Sequence, residues 1–186
     1  MSQLLWQPSR ERINRSKMIR FMEYVNERFG QEFSDYPQLY EWSVQNIPQF
    51  WATVWDYMDV IHSRGYDQVV DDPRKMPGAT WFSGARLNFA ENLLRYRDEE
   101  LAIVFWGEAS QPRHLTFSQL YSEVARVAAS MREMGIQPGD RVVGYMPNIP
   151  ETVIAMLAAT SLGAVWSSCS PDFGIQGVLA RFGQIQ

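Results

Sequence analysis

The chain has 186 residues, 46% of them hydrophobic and 20% charged, with a formal net charge of −4. That is enough apolar material for a buried core and roughly one to one and a half domains, with no electrostatic footprint for nucleic acid. One cysteine, Cys169, excludes a disulfide framework and a thiolate metal cage, and no apolar run is long enough for a signal peptide or a membrane span. A soluble, cytoplasmic protein with no nucleic-acid or membrane partner is expected.

The first half is rich in aromatic residues and reads as helical. From Arg10 to Phe29 the apolar residues Ile13, Met18, Phe21, Met22, Val25 and Phe29 recur three and four apart, and Gly30 stands where such a helix ends. A second helix is predicted over 36–46, around Leu39, Tyr40 and Trp42. Pro48 suits the first turn of a third that runs to about His62 through Phe50, Trp51, Val54, Trp55 and Met58. Asp71, Asp72, Pro73, Pro77 and Gly78 mark a loop, and 88–96 reads as one more short helix.

The rhythm changes near residue 101. Leu101 to Trp106 is a continuous apolar run, expected as a strand buried on both faces. Residues 107–113 read as a turn and 114–117 as a short returning strand. Thr116 and Gln119 have capping-box spacing ahead of a helix striped by Leu120, Val124, Val127, Met131 and Met134, which Gly135 ends. A strand over 141–145 follows. Asn148 and Glu151 repeat the capping spacing before a helix carrying Val153, Ile154, Met156, Leu157 and Leu162. A strand over 164–168, a loop, and a last helix from about Gly174 complete the pattern. Strands alternating with helices predict an α/β fold: a mostly parallel sheet with helices on both faces, preceded by the helical aromatic-rich segment.

No local motif is by itself a strong catalytic signature. The glycine-rich dinucleotide fingerprint, the phosphate-binding glycine loop ending in lysine, and the paired-histidine metal motif are all absent. His62 and His114 have no partners at ligand spacing. Cys169 lies at a strand's carboxyl end, where a nucleophile could sit; equally, a lone cysteine serves as a small buried hydrophobe, and neither histidine is near it in sequence. The candidate ligand-facing segment is the loop from Ser170 to Gly174. Loops at the carboxyl ends of strands hold ligands in open α/β sheets, and the following helix offers unpaired N–H groups to an anion. The alternative is an ordinary capping loop in which Asp172 satisfies those same N–H groups.

The ordered series WFSGARLNFAENLL (81–94), LTFSQLYSEVARVAASMREMGIQPGDRVVGYMPNIPETVIAMLAATSLGAVW (115–166) and SSCSPDFGIQGVLARFGQIQ (167–186) resembles the beginning of the short-chain acyl-CoA synthetases, AMP-forming members of the adenylate ligase superfamily. The resemblance covers essentially the whole chain. It implies an N-terminal region of the acetyl-CoA-synthetase type over 1–98 and the beginning of an AMP-binding domain over 99–186. The loop Ser170-Pro171-Asp172-Phe173, with Arg181 to Gln184 after it, is similar to the acetoacetyl branch; the acetyl and propionyl branches carry a loop like F-G-G-F there.

The resemblance implies the reaction acetoacetate + ATP + CoA giving acetoacetyl-CoA, AMP and pyrophosphate, with Mg²⁺ on the phosphates and a place in ketone-body and lipid metabolism. It places Ser170, Pro171 and Asp172 near the CoA tunnel and assigns no catalytic residue and no metal ligand within these 186 residues. The family's T-S-G-T-T-G-x-P-K phosphate loop is not among them, and neither Lys17 nor Lys75 lies in the context of the adenylating lysine. The chain by itself is therefore expected to be a fragment that neither turns over nor holds these ligands tightly. Its sheet is expected to be incomplete, with unpaired strand edges that favour association. Two other readings stay open: part of an acetyl- or propionyl-CoA synthetase, and a non-catalytic interaction module presenting Trp42, Trp51 and Trp55.

Overall fold

The computed structural model describes residues 5–108 and 111–185. The chain divides into two compact units, Met1–Arg86 and Leu87–Gln186. Each is described by itself.

The amino-terminal unit begins with α1 (Arg10–Asn14) and α2 (Lys17–Phe29) rather than one helix over 10–29. The break lies at Ser16, whose extended backbone lets its hydroxyl accept the Ile19 N–H. A serine that caps the helix after it interrupts the helix before it, and the apolar spacing is blind to that. Gly30 ends α2 in the left-handed conformation. The next turn is closed by Asn26, whose side-chain amide donates to the Phe33 carbonyl at 2.9 Å and accepts the Phe33 N–H at 3.0 Å.

Asp35 caps α3 (Tyr36–Gln45) through the Gln38 N–H, and α4 (Ile47–Tyr57) starts with Pro48 in its first turn. The expected extension of α4 to His62 does not occur, because Asp59 adopts a positive φ of 47° and turns the chain away. The core of this unit is Phe21, Met22, Val25 and Leu39, with Phe29, Phe33, Trp42, Phe50, Val54 and Tyr57 packed around it. Of the three tryptophans singled out above, Trp42 packs on Phe29, Phe33 and Phe50, Trp55 stacks on Phe82 at 4.9 Å, and Trp51 stands exposed with its ring edge on Trp81.

Two short strands, β1 (Gln68–Val70) and β2 (Trp81–Ser83), pair antiparallel; strands of three residues leave no alternation for a sequence to display. Between them lies the expected loop. Asp71 organises it, and its carboxyl is held down at about 2, first by the hydrogen bond from Lys75 and then by the N–H groups of Thr80 and Asp72.

The carboxyl-terminal unit opens with α5 (Phe89–Leu93). Its cap, Asn88, accepts the Glu91 N–H and donates its amide to the carbonyls of Thr160 at 2.9 Å and Ser161 at 3.3 Å. One side chain thus serves the start of one helix and the carbonyl end of another. Strands β3 (Leu101–Phe105) and β4 (Arg113–Thr116) pair antiparallel, with an irregularity between Leu101 and Ile103. The reading of 101–106 as buried on both faces is corrected here: Leu101, Val104 and Trp106 are exposed, while the adjacent residues Ala102 and Ile103, at the strand's irregularity, pack half-buried against the core.

Thr116 and Gln119 form the expected capping box at the head of α6 (Phe117–Glu133). Then follow β5 (Arg141–Tyr145), α7 (Pro150–Ser161), β6 (Val165–Cys169) and α8 (Gly174–Phe182). The capping pair expected at Asn148 and Glu151 is replaced. Ile149 occupies the cap position with no side-chain hydrogen bond, and Pro150 takes the first helical position, where its missing N–H costs nothing. Glu151 instead accepts from Arg113 on β4 at 2.6 Å. That hydrogen bond holds the Glu151 carboxyl below its usual range, against the desolvation that would raise it.

The fold is α/β. Among the described residues the sheets are three strand pairs: β1–β2 and β3–β4 antiparallel, and β5–β6 parallel, with Arg141 opposite Val165 through Tyr145 opposite Cys169. The core of the carboxyl-terminal unit is Ala90 and Leu94, then Leu120, Val124 and Ala128 of α6, and Ile154, Leu157 and Ala158 of α7. No helix among the described residues is long and apolar enough to cross a membrane.

Candidate functional site

The parallel pair β5–β6 brings two strand carboxyl ends side by side, and the chain leaves β6 through the loop singled out above. Met146 continues the pairing by donating its N–H to the Cys169 carbonyl at 3.2 Å. Cys169 is buried, with its thiol directed at the Ser170 carbonyl at 3.6 Å, the surroundings of a small packed hydrophobe.

From Ser170 the backbone makes one tight turn over Pro171–Phe173. The Ser170 hydroxyl donates to the Asp172 carboxylate at 2.8 Å, and its oxygen lies 3.4 Å from the Asp172 N–H. Asp172 is therefore spent within the loop. The capping role weighed for it does not form: α8 starts from Phe173 without a side-chain cap. Gly174 turns into the helix at φ 60°, a conformation that glycine adopts without penalty, and its N–H returns to the Pro171 carbonyl.

Two contacts hold this loop that the sequence reading did not find. The Tyr145 hydroxyl, at the carboxyl end of β5, donates to the same Pro171 carbonyl at 2.8 Å. The available signal was a tyrosine at a strand end; in the structure it stands opposite Cys169, the last residue of β6. On the other side, the Arg181 guanidinium lies 3.7 Å from the Phe173 ring centroid and donates to the Gly177 carbonyl. Gly177 makes room for this: a Cβ there would come within 2.8 Å of the Phe173 Cβ and 3.3 Å of the Arg181 Nη1. A glycine inside a helix costs about 1 kcal/mol relative to alanine, so the stacking offsets a real penalty.

Tyr145→Phe removes the hydroxyl clamp. Because Tyr145 and the loop are exposed, the expected loss of stability is small, about 0.5–1 kcal/mol. The larger effect falls on the loop itself. Amide exchange at Asp172, Phe173 and Gly174 should accelerate in the variant while α6 and α7 stay as protected as before, and unchanged exchange in the loop would refute the clamp.

The remaining candidates do not join this site. His62 packs on Trp55 at 5.4 Å with its Nδ1 at 2.7 Å from the Val60 carbonyl, and His114 stands exposed on β4. Among the described residues no three His, Cys, Asp or Glu side chains gather closely enough to hold a metal ion. An apolar cleft of about 610 Å³ opens on the amino-terminal unit between Trp6, Ile13, Met18, Met22 and Tyr36. Its Ser16 hydroxyl and Asp35 carboxylate are both committed to helix caps, which leaves it few groups able to do chemistry.

Comparison with known proteins gives this arrangement its context. A family model described as "AMP-binding enzyme" matches residues 89–184, and one described as "Acetyl-coenzyme A synthetase N-terminus" matches residues 36–93. The acetoacetyl-coenzyme A synthetase of Rhizobium meliloti is 49% identical over 181 residues, 97% of this chain and 28% of the relative. A malonamoyl-CoA synthetase of Penicillium aethiopicum is 40% identical over 99% of this chain and 26% of its own length. The solved structure of the acetoacetyl-CoA synthetase from Streptomyces lividans superposes with a TM-score of 0.89 at 43% identity, covering 99% of this chain and 29% of that one. The chain thus spans about 28% of the length of the first curated relatives it matches. With over half its residues inside the AMP-binding model and its whole length similar to acetoacetyl-CoA synthetases, the chain belongs to the AMP-binding enzyme family.

Proposed function

We propose that this chain is the amino-terminal section of an AMP-forming acid–CoA ligase whose acid is a short carboxylate bearing a carbonyl at its third carbon, with acetoacetate as the first choice. The observation that carries the reading is 43–49% identity to acetoacetyl-CoA synthetases across nearly every residue of the chain, together with the TM-score of 0.89. The malonamoyl relative supports the acid class. Malonamate and acetoacetate differ only by an amino group in place of a methyl beyond the same carbonyl, so one pocket shape serves both.

The reaction runs in two displacements. The acid's carboxylate oxygen attacks the α-phosphorus of ATP and pyrophosphate leaves; the CoA thiol then attacks the resulting acyl carbonyl and AMP leaves with the bonding pair. Mg²⁺ accompanies the ATP phosphates. Within this chain the reading assigns Ser170, Pro171 and Asp172 to the wall of the CoA path. What supports that assignment is the exposure of Pro171 and Asp172, after the half-buried Ser170, at the carboxyl ends of two parallel strands, on a loop clamped from Tyr145 on one side and turned by Gly174 on the other. The protein would work in the cytoplasm, where ATP and CoA are available.

The test is a chimera in which residues 1–186 replace the matched segment of the Rhizobium meliloti synthetase. Acetoacetate-dependent pyrophosphate release should stay within about tenfold of the parent enzyme's, because the exchanged segment carries no residue assigned to the acid. A folded chimera that is silent with acetoacetate, beside an active parent enzyme, would remove the reading.

A further inference from the structure

We infer that Tyr145 is a positioning residue for the CoA-dependent step. Its hydroxyl, acting through the Pro171 carbonyl, holds the turn that walls the CoA path in the place the second displacement requires. The inference rests on the functional reading above and deepens it: that reading names the wall, and Tyr145 is what fixes it.

The turn is held at both ends. At Pro171 the carbonyl oxygen accepts twice, from the Tyr145 hydroxyl at 2.8 Å and from the Gly174 N–H. A carbonyl oxygen has two lone pairs, so this one is fully committed and the plane of its peptide is set. At Phe173 the ring lies against the Arg181 guanidinium, 3.7 Å from the ring centroid.

Of these contacts only one comes from outside the loop and its helix. Ser170, Gly174, Gly177 and Arg181 all belong to the loop or to α8, so a movement of the loop would carry them along. Tyr145 ends β5, opposite Cys169 in the parallel ladder, and Met146 after it donates its N–H to the Cys169 carbonyl at 3.2 Å. The hydroxyl therefore ties the turn to the strand pair, the rigid part of the site. Without it the turn keeps its internal bonds but loses its reference.

The turn offers CoA a shape rather than free donors. The Asp172 carboxylate accepts from the Ser170 hydroxyl at 2.8 Å, and the Phe173 N–H returns to the Ser170 carbonyl at 3.2 Å. A wall whose polar groups bond one another contributes by standing in place, since a ligand that must order its own site binds more weakly. The first displacement, between the acid and ATP, uses no CoA and does not call on this wall. Loss of the hydroxyl should thus be felt in CoA use alone.

The experiment places Tyr145→Phe in the chimera described above and measures the two steps separately. Acetoacetate-dependent exchange of pyrophosphate into ATP, run without CoA, reports the first step and also shows that the variant is folded. Formation of acetoacetyl-CoA over a range of CoA concentrations reports the second. The KM for CoA should rise about threefold to tenfold, the span open to one hydrogen bond between neutral groups. Exchange, and kcat at saturating CoA, should stay within about twofold. Gly177→Ala reaches the same turn from the helix, because its Cβ would come within 2.8 Å of the Phe173 Cβ and displace it. It should raise the CoA KM as well, although alanine favours the helix, so lost stability does not explain a shift shared by both variants. An unchanged CoA KM in Tyr145→Phe overturns the inference, and so does an equal fall in both steps, the mark of a general loss of structure. A CoA KM that Gly177→Ala leaves at the parent value overturns it too, since the place of the turn would then not matter to CoA. A chimera without exchange removes the ligase reading and this inference with it. An active chimera in which Tyr145→Phe moves nothing removes this inference alone.

Discussion

Leu157→Ala is expected to destabilise the carboxyl-terminal unit by about 2–5 kcal/mol. Leu157 is 2% exposed on α7 and sits in the cluster formed with Leu120, Val124 and Ala128 of α6 and Ala90 and Leu94 around α5. Its neighbours Ala158 and Ala159 are fully buried. With alanines already at the contact, the helices are close, and they have little room to collapse further into the hole that a missing isobutyl group leaves. The loss should therefore fall in the upper half of that range. Leu157→Met, which keeps the volume, should cost less than about 1.5 kcal/mol, and the exposed Leu179→Ala less than about 0.5 kcal/mol. Urea denaturation followed by tryptophan fluorescence and circular dichroism would measure all three. A Leu157→Ala loss no larger than that of Leu179→Ala would show that the α6–α7 contact is not what holds this unit.

Much of this unit is legible in its sequence, because its elements obey single rules. Capping-box spacing at Thr116 and Gln119 places the start of α6, and the apolar stripe from Leu120 to Met131 places its buried face, whereas Met134, expected on the same stripe, is the exposed C-cap. The β5 strand stands between two unmistakable breaks, Pro138-Gly139 and Pro147. Where the reading failed, two rules competed for the same residue. At Asn148 the capping pattern was present, but Pro150 already started the helix, and Glu151 had a stronger partner in Arg113, which no local spacing connects to it. Ser16 falls inside the single helix expected over 10–29, yet its hydroxyl caps α2 and splits that helix in two. Leu101 to Trp106 was read as a buried strand because its residues are apolar, yet burial depends on what packs against a strand, and a sequence does not show that.

The candidate site was legible in place but not in support. Strand–loop–helix order located Ser170 to Gly174. The side chains that hold the loop, Tyr145 and Arg181, come from positions 26 residues before Pro171 and eight after Phe173, and neither has a motif of its own. The Ser170–Asp172 hydrogen bond, which commits the one carboxylate of the loop, becomes visible only once the turn over Pro171–Phe173 has formed.

In the amino-terminal unit, Phe21→Ala is expected to cost about 3–5 kcal/mol. Two kinds of contact hold α2 against α4, and their magnitudes differ. Phe21 is 9% exposed and meets Phe50 and Tyr57 edge-on, with ring centroids at 6.0 and 5.0 Å. Each aromatic pair adds about 0.5–1.5 kcal/mol beyond the buried area. Between the same helices Arg28 and Asp56 form an ion pair at 2.6 Å, the shorter contact by far, but both side chains are more than a third exposed. Water and salt screen such a pair, so Arg28→Ala should cost no more than about 1 kcal/mol, and less at high ionic strength. Phe21→Leu keeps most of the apolar area and loses the ring geometry, which places it near 1 kcal/mol. Thermal or urea unfolding of the three variants at low and high salt orders them. If Arg28→Ala proved the costliest and its effect disappeared with salt, electrostatics rather than the aromatic cluster would hold the unit together, and the ring contacts would be a consequence of the fold instead of its cause.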